Sequence, residues 1–526
     1  AVNQANIQIS HAGAIEISAA LTGGSVSIVG ASLSVTGSIS VSGQGSTAGS
    51  GAGGAASSGG GGGGGHGGGG GVGESNSASN GAVYDSLYYP VISGSGGGHG
   101  DFSGHTKPGG AGGGVVNITV TGSLTVGSGT SITANGSPGV GGSNGDSYNN
   151  NVAASGGGGG SGGAILVVAS SLLGTGSIEA NGGAGGGRGT NSYNNDNGKY
   201  GGGGGGGRIA LHLSSSLAPS VTLAAIGGAA GGSGADAAAA GTIYTDVASN
   251  RTLIIDNTPT TALTNVGTVT VPASGSATIT LDMLRIVNSL VSVQSPLVVT
   301  ELSVTSSTVT STSTLDATLL TASSVTWTAD GGVTLGAASL SSTAWTSHST
   351  VSVSGALDVR SSTTVTCTTG SLVSAQSLTI SSDSTLTASD TSSGTLAVSA
   401  TSLLVDGTVS AGVLSIDASS LTISSTGQMT GNGVVTCDGT TMSLAGTLAS
   451  TTTDVFLTQS SALTLSGAAT VTASVISVRT ASMQLGGTSS LVVAGRGSSA
   501  STGDGVGAAA SSGGGGGGGH GGGGGV

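Results

Sequence analysis

The sequence is poor in charge, aromatic residues and proline, and these shortages exclude several classes of protein. Charged residues make up 6% and aromatic residues 2% of the 526 residues, whereas soluble domains have about 25% charged residues. Nine Lys and Arg against 22 Asp and Glu give a net charge of −13, which excludes a basic nucleic-acid-binding surface. No apolar run reaches the roughly 18 residues of a membrane-spanning helix. Large side chains are also too few for a thick globular core.

Glycine, serine, threonine, alanine and valine dominate instead, with 108 glycines. Ser, Thr, Val and Gly are poor helix formers, and short apolar–polar alternations recur, as in 24–45 and 377–388. Between 260 and 497 the alternations return about every 20 residues. Such strands can bury an apolar face only against neighbouring coils, so we predict an all-β parallel β-helix or solenoid. Val, Leu, Ile and Ala are expected inside, and ladders of Thr and Ser outside.

The N-terminal part inserts long glycine-rich excursions into this pattern. The segments GSISVSGQG, TSITANGSPG and GSIEANGGAG each open an excursion, and a strand preceded by glycine closes it. We therefore predict four regions. They are solenoid coils over 1–44, a solenoid with tandem glycine-rich excursions over 45–249, a regular Ser/Thr/Val-rich solenoid over 250–497, and the start of the next excursion over 498–526.

A second, longer repeat spans almost the whole chain. The sixteen residues SSGGGGGGGHGGGGGV occur at 57–72 and again at 511–526, 454 positions later. The segments before the two copies also correspond, since SVSIVGASLSVTGSISVSGQG resembles SVISVRTASMQLGGTSSLVVAGRG. The chain thus begins and ends at the same phase of one large period. We expect it to be about one repeat of a longer polypeptide or polymer.

The glycine runs lie inside aligned strand units, which argues against simple flexible linkers. Ordering glycine costs about 1–2 kcal/mol per residue, so the runs need an offsetting interaction. We expect extended polyglycine segments of polyproline-II geometry, bundled as lobes by backbone hydrogen bonds. Irregular loop packing is the alternative. Lobe packing is assigned to Gly59, Gly65, His66, Gly71, Gly156, Gly160, Gly201 and Gly207.

The histidines near the glycine runs are the first candidates for chemistry. His66 interrupts one run and His520 its copy, while His99 and His105 lie close to Asp101. A metal site is conceivable there, but no pair has the spacing of a zinc motif. We expect the imidazole of His66 to bond glycine carbonyls instead. No metal or other cofactor is assigned.

The sequence contains only weak signs of a calcium site or of an enzyme. The segment 231–239 partly fits a calcium nonapeptide, but as a single copy it lacks the adjacent turns that complete the ligands. A carbohydrate-active β-helix enzyme needs clustered carboxylates, whereas the acidic residues here come singly and suit turns. We therefore predict no enzymatic activity. The dispersed acids include Asp316, Asp330, Asp358, Asp383, Asp390, Asp406, Asp417 and Asp438.

Cysteine and asparagine complete the candidates. Cys367 and Cys437 are 70 positions apart, which is several coils, so we expect two free thiols and no disulfide. Asn117, Asn135 and Asn250 stand in Asn-x-Ser/Thr sequons and are candidate N-glycosylation sites if the chain is secreted by a eukaryote.

The run from Ala-Asn-Gly through polyglycine to GGAILVV (162–168) and GGGRIALHL (205–213), with GAVYDSLYYPVISGSGGG (81–98) upstream, supports a resemblance. Residues 37–245 resemble large glycine-rich β-helix surface proteins of microbial eukaryotes and some bacteria. Among these, the long repeat looks most like a shaft component of tubular flagellar hairs, the mastigonemes. This resemblance implies an extracellular or cell-surface filament.

The predicted function is accordingly a structural subunit of a self-assembling extracellular filament. Repeats would stack end to end and pack laterally through glycine lobes, so the expected partners are other copies, with glycans possible and neither nucleic acid nor membrane insertion expected. The first alternative is a surface adhesin or an ice- or glycan-binding solenoid, motivated by Thr-rich ladders such as 361–369. The second is the β-helix carbohydrate enzyme.

Overall fold

The computed structural model describes residues 6–55, 59–74, 80–102, 104–145, 153–191, 197–258, 268–271, 278–368 and 372–493. Throughout these ranges the regular structure is β-strand, and none of it is helix. The strands form a parallel β-solenoid, which confirms the predicted fold class. Correspondingly, the described residues include no helix that is long and apolar enough to cross a membrane.

The chain divides into two compact units, Ala1–Gly331 and Gly332–Val526. The strands of the first unit are β1 Asn6–Ser10, β2 Ala14–Ile17, β3 Ala20–Thr22, β4 Ser25–Gly30, β5 Ser32–Val35, β6 Ser38–Ser40, β7 Gly100–Phe102, β8 His105–Lys107, β9 Val115–Val120, β10 Ser123–Val126, β11 Ser131–Thr133, β12 Ala164–Gly174, β13 Ser177–Glu179, β14 Arg208–Leu217, β15 Thr222–Ala224, β16 Thr242–Val247, β17 Asn250–Asp256, β18 Thr268–Val271, β19 Ile279–Val287, β20 Leu290–Val293, β21 Leu297–Thr305, β22 Thr308–Ser311, β23 Leu315–Ser323 and β24 Thr326–Ala329.

The second unit is also built of β-strands. Its strands are β25 Val333–Ser341, β26 Ala344–Ser347, β27 Val351–Arg360, β28 Thr364–Cys367, β29 Leu372–Ile380, β30 Thr385–Ala388, β31 Thr395–Val405, β32 Thr408–Ala411, β33 Val413–Ile423, β34 Gln428–Gly431, β35 Val435–Asp438, β36 Thr441–Leu444, β37 Thr447–Ser450, β38 Asp454–Ser460, β39 Ala462–Leu465, β40 Thr470–Thr472, β41 Val475–Thr480, β42 Met483–Leu485 and β43 Ser490–Val492.

Most of the described strands pair in parallel with the strand one coil further on. Ile279 lies opposite Leu297, and Leu297 lies opposite Leu315, so these coils are 18 residues long. In the second unit Val351 lies opposite Val373, a coil of 22 residues. The variable length of the turns between strands explains why the sequence shows only an approximate spacing.

Side chains alternate between the core and the surface along these strands. In β22 Val309 is buried, while Thr308 and Thr310 are half-exposed and lie directly opposite Thr326 and Thr328. Because the pairing is in register, like residues form ladders along the coils. The predicted arrangement of apolar residues inside and threonine ladders outside is confirmed in this sheet.

One corner of the regular coils has a repeated backbone strain. Asn288, Ser306 and Ser324 have φ angles of 50°, 48° and 57°, in the left-handed region that side chains disfavour. The next residue points inward: the amide of buried Ser289 donates to Ser307 Oγ at 3.1 Å. This hydrogen bond between successive coils satisfies a buried polar group and holds the corner.

In the described part of the main solenoid sheet, the strand direction reverses between β16 and β17. Earlier coils pair in parallel up to β16, but β16 and β17 form an antiparallel hairpin through the two-residue turn Ala248–Ser249. From β17 to β19 the pairing is parallel again. The reversal coincides with the boundary predicted between the glycine-rich region 45–249 and the Ser/Thr/Val-rich region 250–497.

The core also changes to the other face of the sheet at this hairpin. Ile243 belongs to the core of the first coils, and its partner Ile254 packs against the same core. Leu253 is fully buried, and it lies opposite Tyr244. Tyr244 directly follows Ile243 in β16, so the side chains of these two residues point to opposite faces of the sheet. Directly paired residues point to the same face of a sheet. The coils before and after the hairpin therefore have their cores on opposite faces, which leaves a step.

Candidate functional site

The glycine segments of the first unit are joined by an extensive set of backbone hydrogen bonds. Segment 156–163 donates in turn to three neighbouring segments, and amides three residues apart donate to the same neighbour, with N···O distances of 2.6–2.9 Å. The amides of Gly156, Gly159 and Gly162 donate to the carbonyl oxygens of Lys199, Gly202 and Gly205, respectively. Those of Gly157, Gly160 and Gly163 donate to Val140, Ser137 and Ala134. Those of Gly158 and Ser161 donate to Gly98 and Ser95.

Burial along one of the neighbouring segments, 182–190, also has a period of three residues. Along 182–190, Gly183, Gly186 and Gly189 are buried, whereas Ala184, Gly187 and Thr190 are exposed. A strand would give a period of two and an α-helix one of 3.6. Three residues per turn is the period of a polyproline-II helix.

Close approach of the backbones explains the need for glycine. A Cβ atom on Gly63 would lie 1.6 Å from the carbonyl oxygen of Gly203, and one on Gly158 would lie 1.9 Å from that of Gly62. No side chain fits at such distances. The hydrogen bonds that this approach permits offset the entropy lost on ordering glycine.

The residues assigned to lobe packing lie against segments of their own chain. Gly59 is half-buried and the other seven are buried. Gly71 donates to Gly203 O, Gly160 to Ser137 O, and Gly207 to Ala180 O. Lateral packing of these residues against another copy stays a prediction, because here their neighbours are internal.

His66 is the best-connected of the predicted residues. Its Nδ1 lies 2.9 Å from the carbonyl oxygen of Gly162, as expected from the sequence, and its Nε2 lies 3.1 Å from Asp85 Oδ2. Its ring packs on Tyr84 with centroids 4.7 Å apart. Buried Arg208 donates from Nε to Tyr84 O at 2.9 Å. His66, Tyr84, Asp85 and Arg208 therefore form one polar network beneath the glycine segments.

Burial and charge act together in this network. Burial lowers the pKa of His66, and the Arg208 cation lowers it further, against the opposing effect of Asp85. Burial alone would raise the pKa of Asp85, but hydrogen bonds from His66 and from the amides of Ile92 and Ser86 outweigh it, so that pKa lies below its ordinary value. Burial lowers the pKa of Arg208 to about 10, which leaves the guanidinium charged at neutral pH.

Sequence reasoning singled out His66 but missed Asp85 and Arg208. Arg208 opens the apolar strand RIALHL directly after a glycine run, and a charge at the start of a buried strand is the signal that marks it. Asp85 has a φ of 70° and accepts hydrogen bonds from the amides of Ser86, Val91 and Ile92. It thereby shapes segment 85–92, which contains Tyr88 and Tyr89.

Two of the other residues considered for a metal site lie in one hairpin. Asp101 lies in β7 and His105 in β8, two strands that form an antiparallel hairpin. His520 lies outside the described residues. No group of three His, Cys, Asp or Glu side chains suited to a metal occurs among the residues that the structure describes. In the calcium-like segment, the amide of Asp236 donates to Val72 O at 2.7 Å, and Ala238 is fully buried.

The cysteines and sequons occupy different environments. Cys367 and Cys437 are buried and free, as predicted, and burial raises the pKa of each thiol to about 12. Asn117 is half-buried in β9, and Asn135 Oδ1 accepts the amide of Asn181 at 2.7 Å. Asn250 is exposed at the start of β17. Asn250 is thus the most accessible of the three glycosylation candidates.

The last described coil leaves one edge and part of its apolar face uncovered. Strands β41, β42 and β43 pair with β38, β39 and β40, and no described strand pairs with their other edge. Met483, Leu485 and Leu491 are 40%, 55% and 38% exposed. At the other end, Ile7, Ile9, Ile15, Ile17 and Leu21 of the first coil are only partly buried.

Comparison with known proteins adds no relative. No family model, curated protein or solved structure matches the chain significantly.

Proposed function

We propose that the chain is a structural repeat of a self-assembling extracellular filament, in which the solenoid of one repeat continues into the next. The observation that carries the proposal is the correspondence between coil β4–β6 and coil β41–β43. Both directly precede the glycine-rich sequence that recurs after 454 positions.

The coils near the two ends of the described chain are built alike. In β1–β6 and in β38–β43 each coil has three strands, of five to seven, three or four, and three residues. The coils from β19 to β34 instead have two strands, of nine to eleven and of four residues. The three-strand coil therefore recurs at the same place as the repeated sequence. This recurrence supports a structural repeat that follows the sequence repeat.

Coil β4–β6 shows what the next repeat would do at coil β41–β43. Strands β4, β5 and β6 pair onward with β9, β10 and β11. Their inward side chains Leu33, Val35 and Ile39 are fully buried as a result. The equivalent Met483, Leu485 and Leu491 are 40%, 55% and 38% exposed, and covering each would contribute about 1 kcal/mol. A second copy is the occupant that has matching strands for this edge.

Lateral contacts are the second part of the proposal. We infer that the glycine segments are polyproline-II helices that make each lobe rigid, as their three-residue period supports. Outer residues of the lobe, such as Val140, Gly141 and Gly187, are exposed and available to a neighbouring filament. The proposal assigns the chain no catalytic role and no cofactor.

Sedimentation velocity of the purified chain tests end-to-end association. The unmodified chain is expected to form larger species as its concentration rises. The double variant Leu485→Lys/Leu491→Lys should stay monomeric because two charges would be buried at the joint. The matched control is Val298→Lys/Leu319→Lys, which changes residues 39% and 41% exposed on the flank of the first unit and should associate normally.

Two results would contradict this proposal. One is a chain that stays monomeric at every concentration, and the other is an end variant that associates as readily as the flank variant.

A further inference from the structure

An aromatic groove lies at the step where the core changes faces. Its volume is about 500 Å³, within the usual range for small-molecule sites. Tyr88, Tyr89, His212, Tyr244, Asp246 and Arg251 contribute to its walls. Three of the chain's seven tyrosines therefore meet at one place in a chain with only 2% aromatic residues.

The rings are arranged as a layered platform. Tyr89 stacks on His212 with centroids 4.5 Å apart and planes 8° from parallel. Tyr88 meets Tyr244 edge to face at 4.8 Å. Tyr89 is 58% exposed and Tyr244 only 3%. The platform is thus anchored by buried Tyr244 and presents Tyr89 to solvent.

The buried network described above holds this platform in place. His212 Nε2 lies 2.8 Å from Tyr88 O, and Arg208 Nε donates to Tyr84 O. Asp85 binds His66 and the amides on both sides of the two tyrosines. A buried ion-pair network is costly to maintain. The network lies beneath segment 85–92, and we infer that it holds Tyr88 and Tyr89 in position.

Polar groups surround the rings and continue beyond them. Asp246 and Arg251 lie opposite each other across the antiparallel hairpin. A second depression of about 560 Å³ shares His212, Asp246 and Ser249 with the groove and is also lined by Thr119, Thr121, Ser170 and Ser214. Aromatic faces beside a line of hydroxyl, carboxylate and guanidinium groups form an elongated amphipathic surface.

We propose that this groove binds a neutral oligosaccharide. The C–H faces of sugar rings pack on aromatic side chains, and their hydroxyls donate to Asp246 and accept from Arg251. One acidic and one basic side chain balance each other, and the chain's net charge of −13 repels acidic glycans. The proposal goes beyond the filament function, since it adds a glycan partner to a site that assembly does not use.

Binding to a panel of neutral oligosaccharides tests the proposal. Fragments of β-glucan, mannan, xylan, arabinan and galactan are titrated into the full chain by calorimetry, beside polygalacturonate as an acidic comparison. At least one neutral fragment is expected to bind, and Tyr89→Ala should weaken it about tenfold or more. Asp246→Asn should also weaken it. Val91→Ala is the matched control, because Val91 is 59% exposed on the same segment but does not line the groove.

Three results would overturn the assignment. These are no binding to any neutral fragment, binding only to polygalacturonate, and neutral-sugar binding that Tyr89→Ala leaves unchanged. Circular dichroism of each variant verifies that the solenoid is folded, so a loss of binding reports on the groove.

Discussion

At single positions of the first unit, glycine is required because two backbones approach each other closely. The adjacent residues Gly186 and Gly187 show that the requirement depends on the position and not on the overall glycine content. A Cβ on Gly186 would lie 2.3 Å from Val140 O, whereas the nearest atom to a Cβ on Gly187 is 4.0 Å away. Gly186→Ala should destabilise its segment by about 1–3 kcal/mol, while Gly187→Ala should be tolerated. Hydrogen exchange of segment 182–190 measures the difference. Equal effects of the two substitutions would show that the close packing is not formed.

The His66–Asp85 pair makes segment 85–92 sensitive to acid. Both pKa values lie below their ordinary values of 6.5 and 3.8 in the folded chain, so the folded state binds fewer protons than the unfolded state. The stabilisation is complete above pH 6.5 and falls as the pH decreases, first through His66 and then, below 3.8, through Asp85. Asp85, Arg208 and Tyr84 are the titratable groups that face the imidazole.

Protection factors for the amides of Val91 and Ile92 check this dependence. They should fall between pH 7 and pH 4.5, and those in the ladder of β22 should not. Asp85→Asn should lower them at pH 7 already, because the acceptor of both amides is weakened. Protection that is unchanged over this range in the unmodified chain would contradict the account.

At the scale of the elements, the hairpin between β16 and β17 determines where the groove forms. Its turn residues Ala248 and Ser249 have φ angles of 50° and 71°, which side chains disfavour. Ala248→Gly should therefore stabilise the hairpin by up to about 1 kcal/mol. The control Ala356→Gly, at an exposed position inside β27, should instead destabilise its strand by about 0.5–1 kcal/mol.

Hydrogen exchange of β16 and β17, against that of β27, measures both effects. A hairpin that Ala248→Gly destabilises would mean that the turn does not have this left-handed geometry.

Sequence patterns predicted the coils but not their reversal, and the turn explains why. Alternating small and apolar residues require burial between coils, so the solenoid follows from the period alone. A two-residue hairpin is usually signalled by Asn-Gly or Asp-Gly, whereas this one is Ala-Ser. The aromatic groove could not be predicted either, because Tyr88, His212 and Tyr244 are far apart in the sequence. In addition, the strand pattern around His212 predicts only an outward-facing residue. His66 was found because it interrupts a glycine run.

For the whole molecule, the decisive feature is that the strand pattern returns to its beginning after one long sequence period. The last described coil, β41–β43, has strands and inward residues like those of coil β4–β6, and no described strand pairs with its other edge. A solenoid end of this kind needs a cover. In the proposed filament, another repeat would supply that cover with hydrogen bonds in an existing register.

Electron cryomicroscopy of the native material tests this central claim most directly. The account predicts fibres with a strand spacing of about 4.8 Å along the axis. It also predicts that the structure recurs along the axis once per repeat of 454 residues. Isolated particles of one repeat, or fibres whose strands run along the axis, would contradict it.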